Sequence, residues 1–167
     1  AQIDAVQKAL TDRINATKPD DMGRLVSPAQ AQDVKAAVDQ LEAEARIVTG
    51  GAVRGTWHPP TLLRCDAPLK ARTVHEVEAF GPVATLMPYA TTAQAVEIAN
   101  RGGGSLVASV FTDDPAIARE IGLGIARLNG RVMFGNRASA GSSTGHGSPL
   151  PMLIHGGPGR AGGGEEL

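Results

Sequence analysis

Cysteine, aromatic residues and long apolar runs are all scarce in this chain of 167 residues. The single cysteine, Cys65, excludes an internal disulfide, so we expect a reducing, cytoplasmic location. No apolar run approaches the roughly 18 residues of a membrane helix, and we expect neither a membrane segment nor a signal peptide. Aromatic residues make up only 3% of the chain, so its core must be built from Ala, Val, Leu and Ile.

An excess of either charge is also absent, since 16 basic and 17 acidic side chains give a formal charge of −1. A nucleic-acid-binding domain would carry a basic stripe, so we expect no nucleic-acid partner. The histidines have none of the short spacings that are typical of metal ligands, and we expect no metal site. They are His58, His75, His146 and His155.

The length of the chain and its apolar content of 42% predict a single domain over residues 1–167. Apolar periodicity predicts a helix over residues 2–16, and capping residues predict helices that begin after Ser27, Thr91 and Asp114. From residue 83 onward strands and helices alternate, which predicts the α/β class with a largely parallel sheet and right-handed crossovers. The predicted strands are residues 46–49, 61–64, 83–89, 105–112 and 131–134.

Residues 135–164 differ from the rest, with ten glycines, three prolines and no periodicity. On the residues alone, a disordered low-complexity tail is the favoured interpretation. Residues 157–162 formally match G-x-G-x-x-G, but a dinucleotide site needs a strand before this motif and a helix after it. Residues 141–145 formally match G-x-S-x-G, but no acid lies between Ser143 and the later histidines, so a serine hydrolase is not favoured. Cys65 is interpreted as structural, because Asp66 beside it would disfavour the thiolate.

The most informative segment is Glu78-Ala79-Phe80-Gly81-Pro82-Val83, which leads into a predicted strand. On the residues alone, Glu78 would be an ordinary loop acid and Phe80 a core residue. The segment resembles the Glu-x-Phe-Gly-Pro-Val of the aldehyde dehydrogenase superfamily. Further segments resemble this family and occur in the same order as in the family, over essentially the whole chain. They are residues 22–27, 60–63, 130–136 and 155–165.

Residues 75–82, 101–110 and 143–151 resemble one branch of that family, the phenylacetate-degradation type with its PaaZ-like and PaaN-like members. Related benzoate-pathway enzymes belong to the same branch. The resemblance implies oxidation of a CoA-linked semialdehyde to its acid during the breakdown of aromatic compounds. The chain departs from the family pattern at three places. It has Arg24 in place of the usual Pro, His155 in place of an aromatic residue, and no Tyr near Gly104.

The resemblance implies that the chain is the C-terminal part of a catalytic domain, a three-layer sandwich with a mostly parallel sheet. In this family a cysteine attacks the aldehyde, hydride passes to the nicotinamide, and a glutamate activates the hydrolytic water. No catalytic residue is assigned to this chain, because both are expected upstream of Ala1. We therefore expect the chain alone to be inactive.

The resemblance also assigns roles to residues that are present. Glu78 is expected to hold the nicotinamide ribose and Phe80 to border the nicotinamide ring. Asn136, His146 and His155 are expected to wall the substrate pocket. The implied cofactor is NADP or NAD, with NADP favoured. The implied partners are a small aldehyde, which the branch links to CoA, the remainder of the dehydrogenase, and further copies in a homo-oligomer.

Two other interpretations of the function stay open. One is a non-catalytic binding or assembly domain that retains the fold. The other is a dehydrogenase of a free aliphatic semialdehyde rather than of a CoA-linked one.

Overall fold

The computed structural model describes residues 2–143 and 156–162. The chain folds as two compact units, Ala1–Pro88 and Tyr89–Leu167; the single domain expected over residues 1–167 stays a prediction. The first unit contains α1 (Gln2–Ala16), α2 (Pro28–Leu41), β1 (Arg46–Thr49), β2 (Thr61–Arg64), α3 (Thr73–Glu76) and β3 (Val83–Leu86). The second unit contains α4 (Thr92–Arg101), β4 (Ser105–Phe111), α5 (Pro115–Ile125) and β5 (Asn129–Gly135). Short 3₁₀ turns lie at Pro19–Asp21, Ala126–Leu128 and Gly159–Ala161.

Helix α2 begins where the sequence predicts it and provides one wall of the first core. The Ser27 side chain accepts a hydrogen bond from the Gln30 backbone N–H at 3.1 Å, and Pro28 occupies the first turn, where its missing N–H costs nothing. One face of the helix is buried, which satisfies the apolar periodicity of its sequence. The buried residues are Ala31, Val34, Ala37, Val38 and Leu41.

The sheet of the first unit has the order β1-β2-β3, with β2 in the middle. Strand β1 is antiparallel to β2, and β2 is parallel to β3 from Thr61↔Val83 to Arg64↔Leu86. Leu62 and Leu63 of β2 are 1% and 0% exposed, as expected for a central strand that is covered on both faces. The core cluster around Leu63 contains Leu41, Ala45, Cys65, Ala71 and Val74.

Arg64 ties helix α1 to the end of strand β2. Its Nη1 donates to Asp4 Oδ1 at 2.8 Å and to Gln7 Oε1 at 2.9 Å, while its Nε donates to Asp66 Oδ1 at 2.5 Å. The hydrogen bond from Arg64 lowers the pKa of Asp4, and the same bond raises the pKa of Arg64. The guanidinium therefore links two elements that are distant in sequence.

In the second unit, both predicted helix caps are confirmed. The Thr91 side chain accepts from the Gln94 N–H at 3.2 Å, and the Asp114 carboxylate accepts from the N–H groups of Ala116 and Ile117 at 2.8 and 3.3 Å. Strands β4 and β5 are parallel, with the register running from Ser105↔Asn129 to Phe111↔Gly135.

The α/β class with parallel strand pairs is confirmed in both units. Within residues 2–143, β3 pairs with β2, and β4 pairs with β5 in a separate sheet. Strand β3 also ends at Leu86 rather than at residue 89. Pro88 follows closely, and a proline has no N–H with which to continue a strand ladder.

Residues 156–162 are packed against the turn between α4 and β4. The Arg160 N–H donates to the Gly103 carbonyl at 3.1 Å. Gly104 has a φ of 137°, and a Cβ there would lie 2.1 Å from the Pro158 carbonyl oxygen. Only glycine suits this close backbone approach, and the interpretation as a disordered tail is wrong for these seven residues.

Candidate functional site

The loop of residues 78–83 connects α3 to β3, and hydrogen bonds from two other elements hold it. The Gln30 side chain of α2 donates from Nε2 to the Phe80 carbonyl at 3.2 Å, and the Thr61 N–H of β2 donates to the Pro82 carbonyl at 2.9 Å. Two successive three-residue turns, with N–H···O distances of 2.7 and 2.8 Å, tighten the loop around Gly81. Its backbone is therefore fixed from both sides.

Gly81 allows this loop to lie directly on helix α2. A Cβ at Gly81 would lie 2.8 and 2.9 Å from the two methyl carbons of Val34, closer than real Cβ atoms come to such neighbours. Val34 is itself 1% exposed and cannot move away without disturbing the core. A glycine is therefore required at position 81 by packing.

The held loop presents two side chains to solvent. Phe80 is 75% exposed, in contrast to the core position that its residue type alone suggests. Glu78 is exposed as well, and among the described residues its carboxylate has no hydrogen-bond partner. The loop thus offers a carboxylate that can only accept hydrogen bonds and an aromatic face for stacking.

Asn136 lies directly after β5 in the second unit, where the backbone leaves the sheet. Its Oδ1 accepts from the Ser139 N–H at 2.9 Å, and its own N–H donates to Ser139 Oγ at 3.0 Å. This local turn orients the amide and leaves its Nδ2 group as a donor. Asn136 is exposed and lines a pocket of about 300 Å³.

Asp113, two residues after the end of β4, holds the segment that follows Asn136. Its Oδ1 accepts from the Arg137 backbone N–H at 3.0 Å, and its Oδ2 lies 3.1 Å from Arg137 Nε. The Thr112 N–H also donates to the Gly135 carbonyl at 3.0 Å. These contacts fix the end of β5 and the start of the next loop to β4.

Of the five predicted site residues, the structure describes three. Glu78 and Phe80 lie on one loop of the first unit, and Asn136 lies at a pocket of the second. His146 and His155 lie outside the described residues. The sequence did not predict the roles of Gln30, Asp113 and Arg137. Gln30 hydrogen-bonds to Phe80, 50 positions away, and Asp113 to Arg137, 24 positions away, so no local pattern reveals these contacts.

Other candidates from the sequence have structural explanations or lack the required context. Cys65 is 1% exposed within the first core, which supports its structural interpretation. His58 Nδ1 and His75 Nε2 each lie 2.8 Å from a proline carbonyl, so each of these nitrogens carries the hydrogen. The G-x-G-x-x-G match forms a single 3₁₀ turn at Gly159–Ala161.

Residues 2–143 and 156–162 contain no cluster of three or more His, Cys, Asp or Glu that could hold a metal ion. In that same part of the chain, no helix has both the length and the apolar character to cross a membrane.

Comparison with known proteins decides the family. The model of the aldehyde dehydrogenase family matches residues 3–145. The chain belongs to the aldehyde dehydrogenase family. It is 52% identical over 151 residues to protein MaoC of Klebsiella aerogenes, covering 87% of this chain and 45% of that protein. It is 47% identical over 147 residues to 3,4-dehydroadipyl-CoA semialdehyde dehydrogenase of Aromatoleum evansii, covering 82% of this chain and 28% of the relative.

Solved structures of the family share the fold. A double mutant of betaine aldehyde dehydrogenase from Staphylococcus aureus in complex with NAD+ aligns with a TM-score of 0.77 at 26% identity, over 95% of this chain and 32% of that one. An apo point mutant of the same enzyme aligns with a TM-score of 0.67 at 28% identity, over 78% of this chain and 28% of that one. This aldehyde dehydrogenase chain thus spans less than half the length of these curated relatives and solved structures.

Proposed function

We propose that the protein containing this chain is an NAD(P)-dependent aldehyde dehydrogenase, and that this chain supplies the nicotinamide-ribose contact and one wall of the aldehyde pocket. The observation that carries the proposal is the exposed pair Glu78 and Phe80 on an anchored loop, in a chain of this family. One neighbouring structure of this fold is described as a complex with NAD+.

Glu78 fits the ribose of such a cofactor. A ribose diol presents two O–H donors, and an ionised carboxylate has two acceptor oxygens and no donor. The Glu78 carboxylate makes no hydrogen bond within the described residues, so both oxygens are available. Hydrogen bonds to a charged acceptor are stronger than neutral ones, which suits a residue that positions a sugar.

Phe80 fits the position beside the nicotinamide ring. The Phe80 ring is 75% exposed, so covering it with a planar ligand is favourable, because apolar surface is removed from water. The Gln30 and Thr61 hydrogen bonds restrict the backbone, so little ordering of the loop is needed on binding. The bound cofactor would supply the hydride acceptor for aldehyde oxidation.

We assign the catalytic cysteine and glutamate to the part of the dehydrogenase that this chain does not span. The only thiol here, Cys65, is buried in the first core and cannot reach a substrate. Asn136, with its free amide donor, is proposed to wall the aldehyde pocket together with His146 and His155.

For the substrate, we propose a CoA-linked semialdehyde from the breakdown of aromatic compounds. The support is the 47% identity to a relative named as a CoA-semialdehyde dehydrogenase and the resemblance of residues 75–82, 101–110 and 143–151 to the phenylacetate-degradation branch. NADP is the proposed preferred cofactor, with NAD as the alternative. A cytoplasmic homo-oligomer is the proposed setting.

Glu78→Gln in the intact dehydrogenase tests the cofactor assignment. We expect the KM for the nicotinamide cofactor to rise roughly 10-fold or more, because charge-assisted hydrogen bonds to the ribose are lost. The KM for the aldehyde should change little. Glu42→Gln is the matched control, because Glu42 is another exposed acid of the first unit. An unchanged cofactor KM in Glu78→Gln would exclude Glu78 as the ribose ligand.

A further inference from the structure

Arg137 is held at the pocket beside Asn136 in a way that leaves its outer end available. Asp113 occupies the backbone N–H and Nε of Arg137, at 3.0 and 3.1 Å. The Arg137 side chain is 94% exposed, and its two terminal nitrogens have no partner among residues 2–143 and 156–162. A guanidinium that is hydrogen-bonded at Nε still has its terminal N–H groups available, and the planar group keeps them in a rigid fork.

The pocket combines this fork with neutral walls. It is lined by Phe111, Thr112, Asp113, Gly135, Asn136, Arg137 and Ala140. Among these lining residues the charges belong to Asp113 and Arg137, and Asp113 is engaged by Arg137. The available charged donor at the pocket is therefore the outer edge of the guanidinium.

We propose that Arg137, held by Asp113, contacts an acceptor oxygen of the substrate at the end remote from its aldehyde group. This inference rests on the proposed function, since it requires that the aldehyde be bound near Asn136. Two substrate classes carry such an oxygen, as the carbonyl of a CoA thioester or as the carboxylate of a free semialdehyde acid. An arginine fork suits both acceptors.

Asp113 is a positioning residue in this arrangement. The loop after β5 is otherwise closed on itself by the turn between Asn136 and Ser139. Asp113 ties this loop to β4 and sets the direction of the guanidinium. Removing its charge should therefore weaken substrate discrimination by freeing Arg137, without removing the donor itself.

The test uses the intact dehydrogenase with three aldehydes whose aldehyde-bearing chains have equal length: a CoA-linked semialdehyde, the free semialdehyde acid, and a plain alkanal. For Arg137→Gln we expect kcat/KM to fall roughly 10- to 100-fold on the substrate whose remote oxygen Arg137 contacts, either the CoA-linked semialdehyde or the free acid. This is the range expected for a lost hydrogen bond to a charged group. The loss should appear in KM, while kcat stays within about twofold. The alkanal should be turned over as by the wild type.

Control variants distinguish the loss of the contact between Arg137 and the substrate from a loss of protein stability. Arg119→Gln changes an exposed arginine of α5 in the same unit and should leave all three kcat/KM values unchanged. Arg137→Lys keeps the cation but not the fork and should recover part of the loss. Asp113→Asn should give an intermediate loss on the same substrates. Because Arg137 is so exposed, the unfolding midpoint of Arg137→Gln should stay within about 2 °C of the wild type.

The pattern over the three substrates decides the inference. A selective loss on the CoA-linked substrate identifies the thioester carbonyl as the acceptor, and a selective loss on the free acid identifies the carboxylate. Equal loss on all three, or no loss on any, overturns the proposed contact while leaving the proposed function in place. A wild-type protein that turns over none of the aldehydes overturns both.

Discussion

At the scale of single residues, the loop of residues 78–83 depends on the missing side chain of Gly81. A Cβ at this position would lie 2.8 Å from a methyl carbon of the buried Val34. We predict that Gly81→Ala lowers the free energy of unfolding by about 1–3 kcal/mol, because the core must shift to accept the methyl group. Urea unfolding of the two proteins measures this difference.

Gly23→Ala is the control for the Gly81 variant. No atom lies within 4 Å of a Cβ built at Gly23, and its φ is not positive. Its free energy of unfolding should stay the same or rise slightly, because alanine restricts the unfolded chain more than glycine does. Equal losses in the two variants would contradict the packing explanation.

Glu44 gives a prediction for the pH dependence of stability. Its carboxylate accepts hydrogen bonds from the backbone N–H of Arg72 at 3.0 Å and of Val74 at 3.2 Å, which caps helix α3. The bond from Arg72 is the main cause that lowers the pKa of Glu44 below its ordinary value of 4.5. A lowered folded-state pKa means that the stabilisation is present above the ordinary pKa and is lost as the pH falls through the folded value.

We therefore predict that Glu44→Gln is less stable than the wild type at pH 7, and that the difference shrinks as the pH falls below 4.5. Thermal unfolding midpoints of both proteins over a pH series measure it. Glu42→Gln, two residues away, should follow the wild type throughout. A difference between Glu44→Gln and wild type that stays constant at acid pH would refute the role of the charge.

The site residues differ in how far the sequence could reveal them. Glu78 and Phe80 were found through their resemblance to a family motif, since composition alone suggested an ordinary acid and a core aromatic. Asp113 and Arg137 gave no sequence signal, because their contact joins the ends of two parallel strands 24 residues apart. Such a contact depends on the pairing of β4 with β5, which brings together residues that are distant in the sequence.

At the scale of elements, the packing of α4 on α5 depends on another glycine. A Cβ at Gly124 would lie 2.7 Å from both methyl carbons of Val96, and the Asn100 side chain donates to the Gly124 carbonyl at 3.0 Å. We predict that Gly124→Ala costs about 1–3 kcal/mol of stability, because the clash outweighs the better helix propensity of alanine. Chemical denaturation monitored by circular dichroism measures the cost.

The double variant with Val96→Ala is the internal control for this crossing. Removing the Val96 methyl groups makes room for the new Cβ, so the double variant should be more stable than the sum of the two single losses predicts. The coupling energy of this double-mutant cycle measures the contact directly. Strict additivity would show that the two residues do not meet.

The elements themselves were predictable where the signal is local. Ser27, Thr91 and Asp114 each accept hydrogen bonds from the helix that they precede, and capping is decided within four residues. Strand partners were not predictable in the same way. Strand β3 pairs with β2, and helix α3 lies between these two parallel strands in the sequence, while the sequence pattern named no partner for β3.

At the scale of the whole molecule, the chain spans only part of its relatives' length, and its described surface leaves large apolar side chains exposed. The chain covers 45% of one curated relative and 28% of another. Large apolar side chains stay exposed within the described residues, among them Val26 at 88%, Phe111 at 72% and Leu123 at 70%. We predict that the 167-residue polypeptide alone has no dehydrogenase activity, because its only thiol is buried.

Aldehyde-dependent reduction of NADP or NAD measures the proposed dehydrogenase activity itself. The measurement should be made side by side on the intact dehydrogenase and on the 167-residue chain, with a CoA-linked semialdehyde as substrate. We expect reduced cofactor with the intact protein only, and none with the chain alone or without aldehyde. Failure of the intact protein to reduce either cofactor with any aldehyde, or turnover by the chain alone, would contradict this expectation.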